Sequence, residues 1–265
     1  MSTAGPPQGA QHRSAQREAP PMHRPELWHQ LQPLTAARIG LPRSGASIAT
    51  SAVLDLRLAH ARARDAVHQA LDCEALQAAL GQPAVVGMTA ARDRRDYLMR
   101  PDLGRQLDPA FQAKLAAQAG DFDLVIVLAD GLSARAAQSH AAPLLAALQP
   151  LLAGWSQAPV VVLRHGRVAA GDQVALALGA RCVLVLIGER PGLSSPDSLG
   201  AYLTWAPAAG THDAQRNCIS NIRPQGLPPA AAATKIAWLL QAMRQQGRSG
   251  VALKDDGGHE RLESA

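Results

Sequence analysis

Three short stretches carry residue types that could hold or transform a ligand. "GERPG" (188–192) sets a carboxylate and a guanidinium between glycine and a Pro-Gly pair, straight after the apolar run Leu184–Ile187. A plain turn needs the Pro and Gly but not the charges, so the stretch is expected to hold something. "RHGRV" (164–168) follows the run Val160–Leu163 in the same way, and "ADGLS" (129–133) follows Leu124–Leu128.

Other chemically suggestive spacings fail on inspection. "GLPRSGAS" (40–47) has the glycine spacing of a phosphate-cradling loop, but Ala46 stands where the phosphate-reaching Lys is needed and no strong strand precedes it. It reads as a plain loop. "ADGLSA" sits like the first turn of a dinucleotide fold without its glycine triplet, so Asp130-Gly131 reads as a turn and Ser133 as a helix N-cap. "GLSSP" (192–196) is a poor nucleophile elbow, since Pro196 replaces the second glycine. His165 has no Asp or Cys at ligand spacing and reads as a surface or hydrogen-bonding histidine. The residues therefore predict neither a metal site nor a catalytic set. They predict loops that bind a sizeable ligand, alongside another chain.

The elements that must position these loops follow from hydrophobic pattern. "LVIVL" (124–128), "VVVL" (160–163) and "CVLVLI" (182–187) are continuous apolar runs separated by segments long enough for helices. Such runs belong to a parallel sheet covered on both faces, whose ligands sit outside the carboxyl ends of the strands. Residues 201–205 and 218–222 are two shorter strand candidates. In residues 51–71, Leu56, Ala59, Ala63, Val67 and Ala70 make a helical apolar stripe. A last helix is expected after Pro228 and Pro229, ending at Gly247, with Ala232, Ile236, Leu239, Leu240 and Met243 buried. The fold expected is α/β: a doubly wound, mostly parallel, Rossmann-like sheet domain over residues 120–254, preceded by a helical N-terminal region over 25–119. Residues 1–24 lack apolar periodicity and read as a disordered arm, and 255–265 as a flexible tail.

Composition narrows the partners. The chain has 265 residues, 47% hydrophobic, and no apolar run nears the length of a membrane span. Its net charge of +5 is spread among neighbouring acids, as in "RDRRD" (92–96), and only 3% of residues are aromatic. A nucleic-acid surface needs clustered cations and stacking rings, so neither nucleic acid nor membrane is an expected partner. Cys73, Cys182 and Cys218 are far apart and odd in number, which favours reduced thiols. With no charged-then-apolar leader, a cytoplasmic location is expected.

Eight segments in order, among them "LTAARIGLPRSG", "YLMRPDLGRQL", "VIVLADGLSA", "LIGERPGLSSPDSLGAYLTW" and "RNCISNIRPQGL", span about residues 34–254. Together they resemble the small (light) subunit of ethanolamine ammonia-lyase. The resemblance implies an adenosylcobalamin-dependent lyase that converts ethanolamine to acetaldehyde and ammonia by a radical mechanism. It implies a large subunit that binds the substrate, with this chain covering the cobalamin at their interface. Carried over by motif, cofactor contacts fall on Val168 of "GRV", Glu189 of "GERPG" and Cys218 of "NCISN", as main-chain N–H groups at Val168 and Cys218 and a carbonyl at Glu189. No residue here is implied to be catalytic. The absence of an Asp-x-His-x-x-Gly segment agrees with a base-on cofactor. Some relatives work inside a bacterial microcompartment, but residues 1–24 do not read as a targeting helix for one. The competing reading is a stand-alone cobalamin- or nucleotide-binding module without catalysis.

Overall fold

The computed structural model describes residues 26–253, so the expectations for residues 1–24 and 255–265 lie outside the described residues. The chain divides into two units, at residue 55/56. The first holds helix α1 (Glu26–Leu31) and a hairpin of strands β1 (Arg43–Ser44) and β2 (Ser47–Ile48), then enters helix α2 (Thr50–His68). Gly45, at φ +60°, makes the hairpin turn. "GLPRSGAS" is therefore a hairpin, not a strand-to-helix phosphate loop.

In the second unit α2 continues, and its stripe largely follows expectation: Ala59 is buried while Leu56, Ala63 and Val67 are half-buried. Ala70 lies past the helix end and is exposed. Next come α3 (Cys73–Leu80), β3 (Ala84–Met88), α4 (Arg94–Met99), α5 (Pro109–Ala116), β4 (Phe122–Ala129) and α6 (Ala134–Leu148). After these lie β5 (Val160–Arg164), α7 (Ala170–Leu178), β6 (Ala180–Gly188), β7 (Leu199–Trp205), β8 (Arg216–Ile222) and α8 (Pro229–Gln246). Local chemistry sets their ends. Asp72, Asp93, Asp108 and Ser133 cap α3, α4, α5 and α6 through side-chain oxygens. Gly179 and Gly247 end α7 and α8 in the left-handed conformation.

Six strands form one sheet in the order β3-β5-β4-β6-β7-β8. The first four run parallel, while β7 is antiparallel to β6 and β8 antiparallel to β7. The connection over 189–198 is too short for a helical crossover, which forces the reversal at β7. Strand β3 adds to the elements expected of the helical N-terminal region. It lies at the sheet edge, every residue only half-buried, and Gly87 there makes room for the Phe111 ring, whose atoms lie 2.2 Å from where a Cβ would stand.

Alternate residues of the central strands point into two cores. Leu124, Ile126, Leu128, Leu184 and Leu186 pack beneath α6 and α8. Val125, Val127, Val161, Leu163, Val183 and Val185 pack beneath α5 and α7. Both faces are covered, so the strands read as unbroken apolar runs. The five expected α8 core residues are all buried.

Candidate functional site

Because β4, β5 and β6 are parallel, "ADGLS", "RHGRV" and "GERPG" emerge at one end of the sheet, and hydrogen bonds tie them together. Asp130, 4% exposed, is the centre of this clamp. Its Oδ2 accepts the His165 N–H at 3.0 Å and its Oδ1 the Gly166 N–H at 3.1 Å. Burial pushes the Asp130 carboxyl above its ordinary pKa, opposed by those two N–H donors and by Arg94. Arg94 Nη1 lies 3.9 Å from Oδ2 and donates to the Gly131 carbonyl at 2.7 Å. His165 takes the left-handed conformation, φ +56°, and its carbonyl accepts from Thr89 Oγ1 at 2.8 Å. The clamp thus aims the chain at Arg167 and Val168.

The third loop meets the first at two glycines. A Cβ on Gly188 would stand 2.0 Å from the Ser133 carbonyl oxygen, and one on Gly131 would stand 2.2 Å from that of Gly188. Leu132 N–H donates to the Gly188 carbonyl at 2.9 Å, and Ser133 Oγ donates to the Pro196 carbonyl at 2.9 Å. Glu189 then turns inward: its Oε2 accepts from Ser198 Oγ and from the Asn221 N–H, the latter at 3.2 Å. The Glu189 side chain therefore fastens residues 189–198 to the end of β8, leaving its backbone carbonyl without a hydrogen-bonding partner among the described residues.

Between these loops lies a recess of about 450 Å³, lined among others by Tyr97, Arg167, Val168, Glu189, Arg190 and Tyr202. Val168 and Glu189, expected from sequence to share a site, share this recess. Cys218 does not line it. It is exposed on β8, directly opposite Tyr202 of β7, whose side chain does line it. Burial, and then the neighbouring Cys218, push the Tyr202 hydroxyl up. Tyr97 is buried between two cations, the Arg94 and Arg167 guanidinium carbons standing 4.7 and 4.6 Å from its ring centre. Its hydroxyl is pushed up to about 12 by burial, against the pull of Arg167.

Among the described residues, neither the Val168 N–H nor the Glu189 carbonyl has a hydrogen-bonding partner. The recess offers backbone of both polarities along an irregular rim. It offers no nucleophile with a base beside it. The two buried carboxylates among the described residues are occupied, Asp130 by the clamp and Asp172 by Arg216. Among the described residues no group of three or more His, Cys, Asp or Glu is arranged to hold a metal. The arrangement can bind and orient a large neutral ligand bearing donors and acceptors.

Sequence reasoning found the three loops but missed Asp130 as the clamp between the first two, together with Tyr97 and Tyr202 as recess walls. An apolar-to-Asp step at a strand end was the one available signal for the clamp.

The family model described as ethanolamine ammonia-lyase light chain matches residues 25–254. The chain is 51% identical over 247 residues to the ethanolamine ammonia-lyase small subunit of Azotobacter vinelandii, covering 90% of this chain and 92% of that one. It is 54% identical to the small subunit of Ralstonia nicotianae over 86% of this chain and 88% of that one. With the small subunit of Pseudomonas fluorescens it shares 48% over 93% of each chain.

Proposed function

Because the chain belongs to the ethanolamine ammonia-lyase light-chain family, and so to an ammonia-lyase complex with a large subunit, we propose that it forms the cobalamin-covering wall of that complex. The substrate is ethanolamine, held by the large subunit, and the products are acetaldehyde and ammonia. The observation that carries the reading is the pair of unpartnered backbone groups at Val168 and Glu189 on the rim of one recess.

The fit to a cobalamin is chemical. A corrin ring is fringed with neutral amide side chains, which need both donors and acceptors. The Val168 N–H supplies a donor and the Glu189 carbonyl an acceptor, while the Cys218 backbone stands next along the sheet, across from Tyr202. An unmet polar group on a buried interface costs about 1–3 kcal/mol, so pairing at these points selects an amide-fringed ligand over a plain apolar one. Adenosylcobalamin would supply the radical chemistry when bound, and the lack of an Asp-x-His-x-x-Gly segment in this chain agrees with its base-on form. The chain's own residues bind, orient and exclude water. The clamp at Asp130 fixes the Val168 turn, and the Glu189 side chain fixes the loop from which its carbonyl projects. Three free thiols suit a cytoplasmic complex, and no helix among the described residues is long and apolar enough to cross a membrane.

The test is co-expression with the large subunit and an acetaldehyde assay. Activity is expected only with both chains and adenosylcobalamin present. Turnover by this chain alone, or undiminished turnover by the large subunit without it, overturns the proposal. Cobalamin binding by this chain with no large-subunit association favours the stand-alone binding module.

A further inference from the structure

We propose that the buried Arg216–Asp172 pair is a positioning device that sets the span between the Val168 and Cys218 contacts. The proposal rests on the cofactor reading above and names two residues that this reading does not use. Arg216 Nη1 donates to Asp172 Oδ1 at 2.7 Å and Nη2 donates to Oδ2 at 2.6 Å, a two-point fork. The side chains are 2% and 7% exposed. Arg216 Nη1 also donates to Thr204 Oγ1 at 3.0 Å, and Nη2 to the Thr211 carbonyl at 3.1 Å. The guanidinium thus ties β8 at once to β7, to the connection between them and to α7.

Placement gives the pair its role. Arg216 precedes Cys218 by two residues on β8, so both side chains share one face of the strand. Asp172 follows Val168 by four residues, about one turn into α7. β8 is the outermost strand, hydrogen-bonded in the sheet only to β7, and the fork is the side-chain link that joins it to α7. Stability alone does not account for a fork here. A buried ion pair is often no better than well-packed apolar residues of the same volume. What the fork adds is direction: two parallel hydrogen bonds fix one distance and one angle, where an apolar contact would tolerate sliding.

The test separates position from stability in the complex assembled with the large subunit. The double variant Arg216→Met/Asp172→Leu removes both charges and leaves none buried alone. Arg216→Lys keeps the charge and loses the fork. Leu148→Ala, buried on the opposite face of the sheet, is the control for general destabilisation. Thermal midpoint is read beside the dissociation constant for adenosylcobalamin, by equilibrium dialysis. The double variant should melt no lower than Leu148→Ala yet bind about 10-fold more weakly, and Arg216→Lys should lose about 3-fold or more. Leu148→Ala should bind within about twofold of the parent. Binding within about twofold by either Arg216 variant overturns the positioning role and makes the pair purely structural. Val168→Pro is measured alongside: if it too binds normally, the cofactor reading itself fails, which is a distinct result.

Discussion

Replacing Asp130 by alanine takes away the side chain that ties the first loop to the second and faces Arg94. The His165 and Gly166 N–H groups, now satisfied at 3.0 and 3.1 Å, would lose their acceptor. Each unsatisfied donor costs about 1–3 kcal/mol, and Arg94 loses its counter-charge at 3.9 Å. Allowing for partial relaxation, a loss of about 3–5 kcal/mol is expected. In a chain of this size that corresponds to a fall of roughly 6–20 °C in thermal midpoint. Burial holds the Asp130 carboxyl above its ordinary pKa. Asp130→Asn removes the buried charge, keeps one acceptor and should lose about half as much or less. Thermal melts of the purified chain give the magnitude, and hydrogen exchange at the His165 and Gly166 amides gives the location. A midpoint for Asp130→Ala within about 2 °C of the parent, or exchange unchanged at those amides, would refute the clamp.

Gly188→Ala should be more severe than an ordinary surface change. Its Cβ would meet the Ser133 carbonyl oxygen at 2.0 Å and that of Asp130 at 2.6 Å, both backbone atoms. Soluble yield and midpoint should both drop, and a normal melt would contradict the close approach. His140, 7% exposed on α6, is held below the ordinary imidazole value of 6.5 by burial. The unfolded chain therefore takes up this proton first as the pH falls, so stability is present above 6.5 and lost as pH falls through that value toward the folded one. His140→Gln should flatten the slope of stability against pH between about 7.5 and 5.5. An unaltered slope would show that His140 is not the group responsible.

The parts of the fold legible in the sequence are those where one physical rule acts alone. β4, β5 and β6 are covered on both faces, so they appear as unbroken apolar runs, and α8 announces itself through Pro229 and Gly247. β3 hides because its apolar run, Ala84–Val86, is short and interrupted by Gly87, which answers to Phe111, far along the chain. The reversal at β7 is a matter of connection length, which no residue type advertises. The site divides in the same way. Strand ends carrying Asp130, Val168 and Glu189 could be located from pattern, and the family resemblance pointed to Val168, Glu189 and Cys218. The bonds that order them join Asp130 to residues 35 and 36 positions away and Arg216 to one 44 away. In a chain with 26 basic and 21 acidic residues, spacing alone cannot select such pairs.

The central claim is that this chain meets the cofactor through backbone, and Val168 tests it most directly because its N–H has no partner among the described residues. Val168→Ala keeps the donor, whereas Val168→Pro removes it. Adenosylcobalamin is titrated into each variant complex after assembly has been verified, with Cys218→Ala as a companion that trims only an exposed thiol. Both alanine variants are expected to bind nearly as the parent does. Val168→Pro should bind about 5- to 150-fold more weakly, the equivalent of one unpaired hydrogen-bonding group. Equal affinities for Val168→Ala and Val168→Pro, whether both normal or both weakened, would contradict recognition through the main chain.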